Sequence, residues 1–293
     1  MTLSDTLFYI AFVSQILLLS WYFPNKMISR IEHVLATYPA EAYPKLYPMP
    51  VAHYRIGIRR FRMFSRLGLL IGVAILLSVM FVVDHSGFAE HGYISSFWPA
   101  VYGMIQFVPF MAIELSEYSN LKLMRQVNTV SRRTADLQRR GLFDLVSPWL
   151  VALAGLTLAG VILFDLYLHG FNLSLGHDSV QRALVMLASN GMIALVGLYS
   201  LYGKKLDPHQ TSADRSHRIA VNLKSLLYLS IAMSVFVGIS AADGVYDIDF
   251  LDAALMSVYF QAIGLLSLGY TTRNVQAERT NFDVYKAEAP AAR

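Results

Sequence analysis

The stretch Leu67–Val83, LGLLIGVAILLSVMFVV, constrains this chain more than any other. It carries no charge, and Ser78 is its one clearly polar side chain. A run of about 17–20 apolar residues matches the hydrocarbon thickness of a bilayer when it is helical. Arg59, Arg60, Arg62 and Arg66 precede it, and Asp84, His85, Glu90 and His91 follow it. That asymmetry orients the stretch, basic end in the cytoplasm. Gly68 and Gly72 form a GxxxG pair inside it, a spacing that permits a close helix crossing. Gly264 and Gly269 make a looser pair near the other end of the chain.

The same device recurs. Apolar runs at Leu7–Phe23, Phe64–Val83, Phe97–Leu115, Pro148–Tyr167, Arg182–Tyr202, Leu223–Ala242 and Ala253–Tyr270 alternate with short polar connections. The chain is 55% apolar and only 15% charged, against about 25% charged in soluble domains. Its mean hydropathy is +0.46. These features predict an all-α polytopic membrane protein with seven transmembrane helices. The first run lacks a basic leader and a small-residue cleavage pattern, so it reads as a retained span. Pro24 is expected to end it.

Lys and Arg concentrate in residues 24–66, 116–147 and 203–222, whereas 84–96, 168–181 and 243–252 carry few. The positive-inside rule then puts the N-terminus outside and the C-terminus in the cytoplasm. The chain divides into a first helix (1–24), a cytoplasmic connector (25–66), a hairpin (67–115), a basic segment (116–147), a second hairpin (148–202), a loop (203–222), a third hairpin (223–270) and a tail (271–293). With no eukaryotic targeting signal and short loops, the expected location is a bacterial inner membrane.

Within the connector, Asn25–Thr37 has helical amphipathic spacing. Tyr38–Pro50, YPAEAYPKLYPMP, has four prolines in 13 residues, which forbids a regular helix and favours an extended strap. Tyr38, Tyr43 and Tyr47 would either tie it to the protein's own cytoplasmic face or dock on a partner. Arg132 and Arg133 of the basic segment are further partner-binding candidates.

The three hairpins share marks. The first helix of each runs into an aspartate, Asp84, Asp165 or Asp243, and the second has an amide near its middle, Gln106, Asn190 or Gln261. Either this is a parallel repeat about the membrane normal, as in some transporters, or it is how any helical hairpin with an outer aspartate looks.

Polar groups in hydrocarbon are costly and tend to face the bundle interior. Gln15, Gln106, Asn190, Gln261 and Glu114 are therefore the candidates for a polar path, with interhelical hydrogen bonding as the simpler role. Asp84, Asp165, Asp243, Asp247 and Asp249 could gather a cation at the outer face, but DGVYDIDFLD lacks the spacing of a calcium loop, and solvated loop ends explain it as well. The eight histidines show no metal-binding spacing, no phosphate-binding loop occurs, and there are no cysteines, so no metal or cofactor is expected. The basic residues suit lipid headgroups better than nucleic acid.

Three functional classes follow. The first is a non-catalytic accessory, scaffold or sensor subunit that binds a protein partner or a second copy. The second is a small transporter or channel with a path lined by Gln106, Asn190 and Gln261. The third is a lipid-active membrane enzyme.

Overall fold

The computed structural model describes residues 3–81, 89–90, 93–128, 141–205, 207–275 and 280–287. Seven long helices account for most of them: α1 (Leu3–Thr37), α2 (Val51–Phe81), α3 (Phe97–Val127), α4 (Pro148–Leu168), α5 (Asp178–Tyr202), α6 (Ser212–Tyr246) and α7 (Asp249–Asn274). Six of them, all but α3, are long and apolar enough to cross a bilayer. The protein is thus an all-α, multi-span membrane protein. Among the described residues the one departure is a two-residue antiparallel pairing, Ala89–Glu90 with Tyr93–Ile94, where Ile94 seals the end of the core beside Phe8 and Phe12.

Two groups of helices form the bundle. Helices α1, α2, α3 and α7 pack together, α4 and α5 pack on α6, and α6 joins the groups by lying along α7. Phe236 of α6 stacks on Tyr259 of α7 with ring centroids 4.1 Å apart, and Tyr228 meets Tyr270 edge-on. The centre is α1. Some 44% of its apolar window is buried, against 11–28% for the other five apolar spans. Phe8, Phe12 and Ile16 enter one core cluster with Val79 and Tyr102, and Leu19, Phe23 and Ile28 enter a second with Phe61 and Phe110. By contrast α4 leaves Leu153, Leu156 and Leu163 exposed, as a lipid-facing helix does.

Pro24 does not end the first helix. Residues Ile16–Tyr22 form a π-helical turn, and an α-helix resumes at Phe23 with Pro24 in its first turn. A proline is tolerated there because its missing N–H and its ring fall at a join rather than inside a regular ladder. Asn25–Thr37 is therefore helical, as its amphipathic spacing predicts, and continues α1. A second π-turn, Leu265–Gly269, interrupts α7. The Tyr-Pro segment is also less extended than expected. Ala42 and Tyr43 donate to the Pro39 carbonyl, and Pro44–Leu46 makes a 3-10 turn, since proline at the first position of a turn is compatible with its fixed φ.

The small residues set the closeness of the central seam. A Cβ on Gly72 would lie 2.2 Å from Tyr102 Oη, and one on Gly264 would lie 2.3 Å from a Leu19 methyl. Gly68 faces Ser20 at 3.6 Å.

Candidate functional site

The seam between α1, α2 and α3 holds an ordered chain of hydrogen bonds at mid-bundle. Gln15 Nε2 donates to Gln106 Oε1 at 3.0 Å. Gln106 Nε2 donates to Ser20 Oγ at 2.8 Å and to the Gln15 carbonyl at 3.3 Å. Only the NH2 end of an amide can face a carbonyl, which fixes the orientation of Gln106. Ser20 Oγ lies 3.1 Å from Tyr102 Oη, and Tyr102 donates to the Gly68 carbonyl at 3.1 Å. Because the Tyr102 proton is directed to Gly68, Ser20 is the donor in the Ser20–Tyr102 pair. The side-chain bonds thus run from Gln15 through Gln106, Ser20 and Tyr102 to the Gly68 carbonyl, with one return bond from Gln106 to the Gln15 carbonyl, and bonds in series polarise one another. Gln15 and Tyr102 are fully buried and Gln106 nearly so. At the head of the chain, buried Gln15 Oε1 has no donor among the described residues.

The local geometry of α1 makes this chain. Gln15 and Ser20 are five residues apart, a spacing that an α-helix places on different faces. The π-turn, with its i→i+5 bonding, brings them onto one face. Tyr102 and Gln106, at i and i+4, share a face of α3 in the ordinary way. The second π-turn is served similarly from a neighbouring helix, since Ser225 of α6 donates to the Leu266 carbonyl at 2.9 Å. Side chains that meet such carbonyls let irregular backbone persist in a membrane.

Gln261 of α7 also reaches α1. Its Nε2 donates to the Ala11 carbonyl at 3.0 Å, and its Oε1 accepts from Ser14 Oγ at 3.1 Å. Gln106 and Gln261 therefore converge on neighbouring positions of α1 from α3 and α7. Asn190 does not join them. It donates to the Met186 carbonyl at 3.0 Å and accepts from Ser230 of α6, which forms a separate seam between α5 and α6. Glu114 lies two turns along α3 from Gln106, near Glu117 and Arg218, and Arg218 of α6 pairs with Glu117 to tie α6 to α3.

The acidic candidates are divided. Asp165 is buried in α4 and forms a two-pronged ion pair with Arg182 of α5, at 2.8 and 3.0 Å. His169 approaches the same carboxylate at 3.1 Å. Asp243 sits beside Asp249 and Asp252, away from this pair. Asp247 takes a left-handed conformation, φ 52°, at the end of α6. Among the described residues no three His, Asp or Glu are placed to hold a metal ion. Asp84, Arg132 and Arg133 lie outside the described residues.

The strap tyrosines are engaged within the chain. Tyr38 stacks on Phe282 with centroids 4.0 Å apart and meets Tyr43 edge-on. Tyr47 donates to the Tyr38 carbonyl at 2.7 Å and packs on Tyr54, and burial pushes its phenol pKa up to about 12. The far side of the tail segment is held as well, by a Tyr285–Asp207 hydrogen bond and by the Asn281 backbone N–H, which donates to Asp214 Oδ2 at 3.3 Å. Residues 280–287 thus bridge the strap and the α5–α6 loop.

Ser20, Tyr102, Ser14 and Ser230 were not candidates on sequence grounds, although the Tyr102/Gln106 spacing was a usable signal. No family model matches the chain, and no curated protein or solved structure matches it.

Proposed function

We propose that this protein is a small transporter or channel that passes a polar solute carrying N–H or O–H groups along the α1–α2–α3–α7 seam. The observation that carries this reading is the buried hydrogen-bond chain whose first acceptor, Gln15 Oε1, has no donor among the described residues. A buried acceptor left unpaired costs about 1–3 kcal/mol, and a solute donor would recover that cost. The seam contains amides and hydroxyls and no charge, so the chemistry favours an uncharged, hydrogen-bonding solute over an ion. Gln261 extends the polar surface on the α7 side, and Asn190 with Ser230 forms a separate polar contact between α5 and α6. The reading requires no covalent chemistry.

It is preferred to an accessory subunit because Tyr38, Tyr43 and Tyr47 already have partners inside the chain. The proposal includes α3 as a seventh span. Pro99, Gln106, Pro109, Glu114 and Glu117 lower its apolarity, but its 31 residues would span about 46 Å at the helical rise. With α3 crossing, the N-terminus is outside and the C-terminus cytoplasmic. A bacterial inner membrane fits that topology.

The test is stopped-flow light scattering on vesicles carrying the purified protein, challenged with glycerol and urea. Vesicles with protein are expected to reswell faster than empty ones. Gln106→Leu removes all three of the Gln106 bonds and should slow the gain at least about tenfold, the equivalent of about 1.4 kcal/mol. Permeability equal to that of empty vesicles for both solutes would overturn the proposal.

A further inference from the structure

On α2, Arg55, Arg59, Arg62 and Arg66 are spaced i, i+4, i+7 and i+11, which places all four on one helical face. The same face continues toward the membrane as Met63, Leu67 and Leu70, all exposed. Two adjoining cavities follow this stripe. The first, of about 360 Å³, lies between the end of α1 (Glu32, Leu35) and Arg55, Arg59 and Arg62. The second, of about 530 Å³, runs from Arg59 and Arg62 past Arg66 to Leu67 and Leu70. Arg62 pairs with Glu32 at 2.8 Å. Arg55, Arg59 and Arg66 have no ion-pair or hydrogen-bond partner among the described residues. The groove is thus basic at one end and apolar at the other, with the change where the uncharged stretch from Leu67 begins.

We infer that this groove binds an anionic phospholipid of the cytoplasmic leaflet, with its phosphate among Arg59, Arg62 and Arg66 and an acyl chain along Met63, Leu67 and Leu70. Three features support that occupant. The net charge of the groove is positive even with Glu32 included. Guanidinium forks match phosphate oxygens in pairs. The apolar continuation offers a tail the surface that a soluble phosphate would leave bare. The inference is independent of the polar seam, which lies on the other side of α2, where Gly68 and Gly72 face Ser20 and Tyr102.

Fluorescent phosphatidylglycerol and phosphatidylcholine, titrated into the purified full chain in maltoside micelles and read by anisotropy, test it. Phosphatidylglycerol should bind more tightly. Each arginine near a headgroup is worth about fivefold in binding, so Arg59→Gln with Arg66→Gln should weaken phosphatidylglycerol of order 25-fold and leave phosphatidylcholine unchanged. Arg273→Gln, at the end of α7, should have no effect. Raising the salt should weaken only the anionic lipid, a readout that needs no variant. Equal binding of the two lipids, salt-independent binding, or an unaffected double variant would overturn the inference. So would displacement by glycerol phosphate alone, which would assign the arginines to a soluble anion.

Discussion

At the scale of single residues, the buried Asp165 carboxylate shows how charge is managed near a membrane boundary. It is nearly inaccessible, and its two oxygens are taken by the Arg182 fork. Removing one partner of such a pair leaves an uncompensated charge and costs about 3–5 kcal/mol, while replacing both with apolar groups is often neutral. Arg182→Gln should therefore lower the melting temperature in detergent markedly, and Asp165→Leu combined with Arg182→Met should recover most of the loss. Equal losses in the single and double variants would show that the pair is not the source. From the sequence, Asp165 looked equivalent to Asp243, since both end the first helix of a hairpin. Their partners differ because Arg182 lies at the start of the next helix, and that placement depends on how α4 and α5 pack.

Individual elements carry the irregularities. The π-turn in α1 brings Gln15 and Ser20 together, and the cytoplasmic segments interlock through the tail. Tyr38 stacking on Phe282 is one half of that lock and Tyr285 on Asp207 the other. Burial first, and Asp207 second, push the Tyr285 phenol upward, so it keeps its proton across ordinary pH. The stability from this bond is present below the usual phenol range and is lost as pH rises through the raised value. An aromatic contact is worth about 1 kcal/mol beyond its burial. Phe282→Ala should accordingly speed hydrogen exchange in residues 280–287 by about fivefold, with little change in α4. Unchanged exchange there would mean that the stack does not hold the tail. The prolines of residues 38–50 did mark a segment that is not a regular helix. Its partner could not be read, because residues 280–287 are more than 200 positions away and carry no complementary signal of their own.

Across the whole molecule, the hydrophobic blocks mark the spans and the Lys/Arg bias is the basis of the proposed orientation, which the chain allows to be tested cleanly because it has no cysteine. Single cysteines placed at Leu175, Lys204 and Thr280 should divide by side. An impermeant maleimide added to intact cells should label the first and reach the other two only after lysis. Labelling of Lys204→Cys in intact cells would overturn the proposed orientation. The packing adds what the blocks lack. Leu67–Val83 is the most evident span, yet α1, with its aromatic and polar faces, occupies the centre. The mid-helix amides Gln106, Gln261 and Asn190 look alike in the sequence, but the first two meet α1 and the third meets Ser230.

What the sequence by itself determined is the medium and the elements. Lengths of apolar chain matched to a bilayer leave helices as the economical structure. What only the tertiary structure decided is which helix is central and which polar groups share bonds. Between helices in lipid there is little hydrophobic preference for one neighbour over another, so close packing and hydrogen bonds choose the partners. Those depend on surface shape: a π-turn that rotates Ser20 beneath Gln15, and a glycine at position 72 that leaves room for Tyr102.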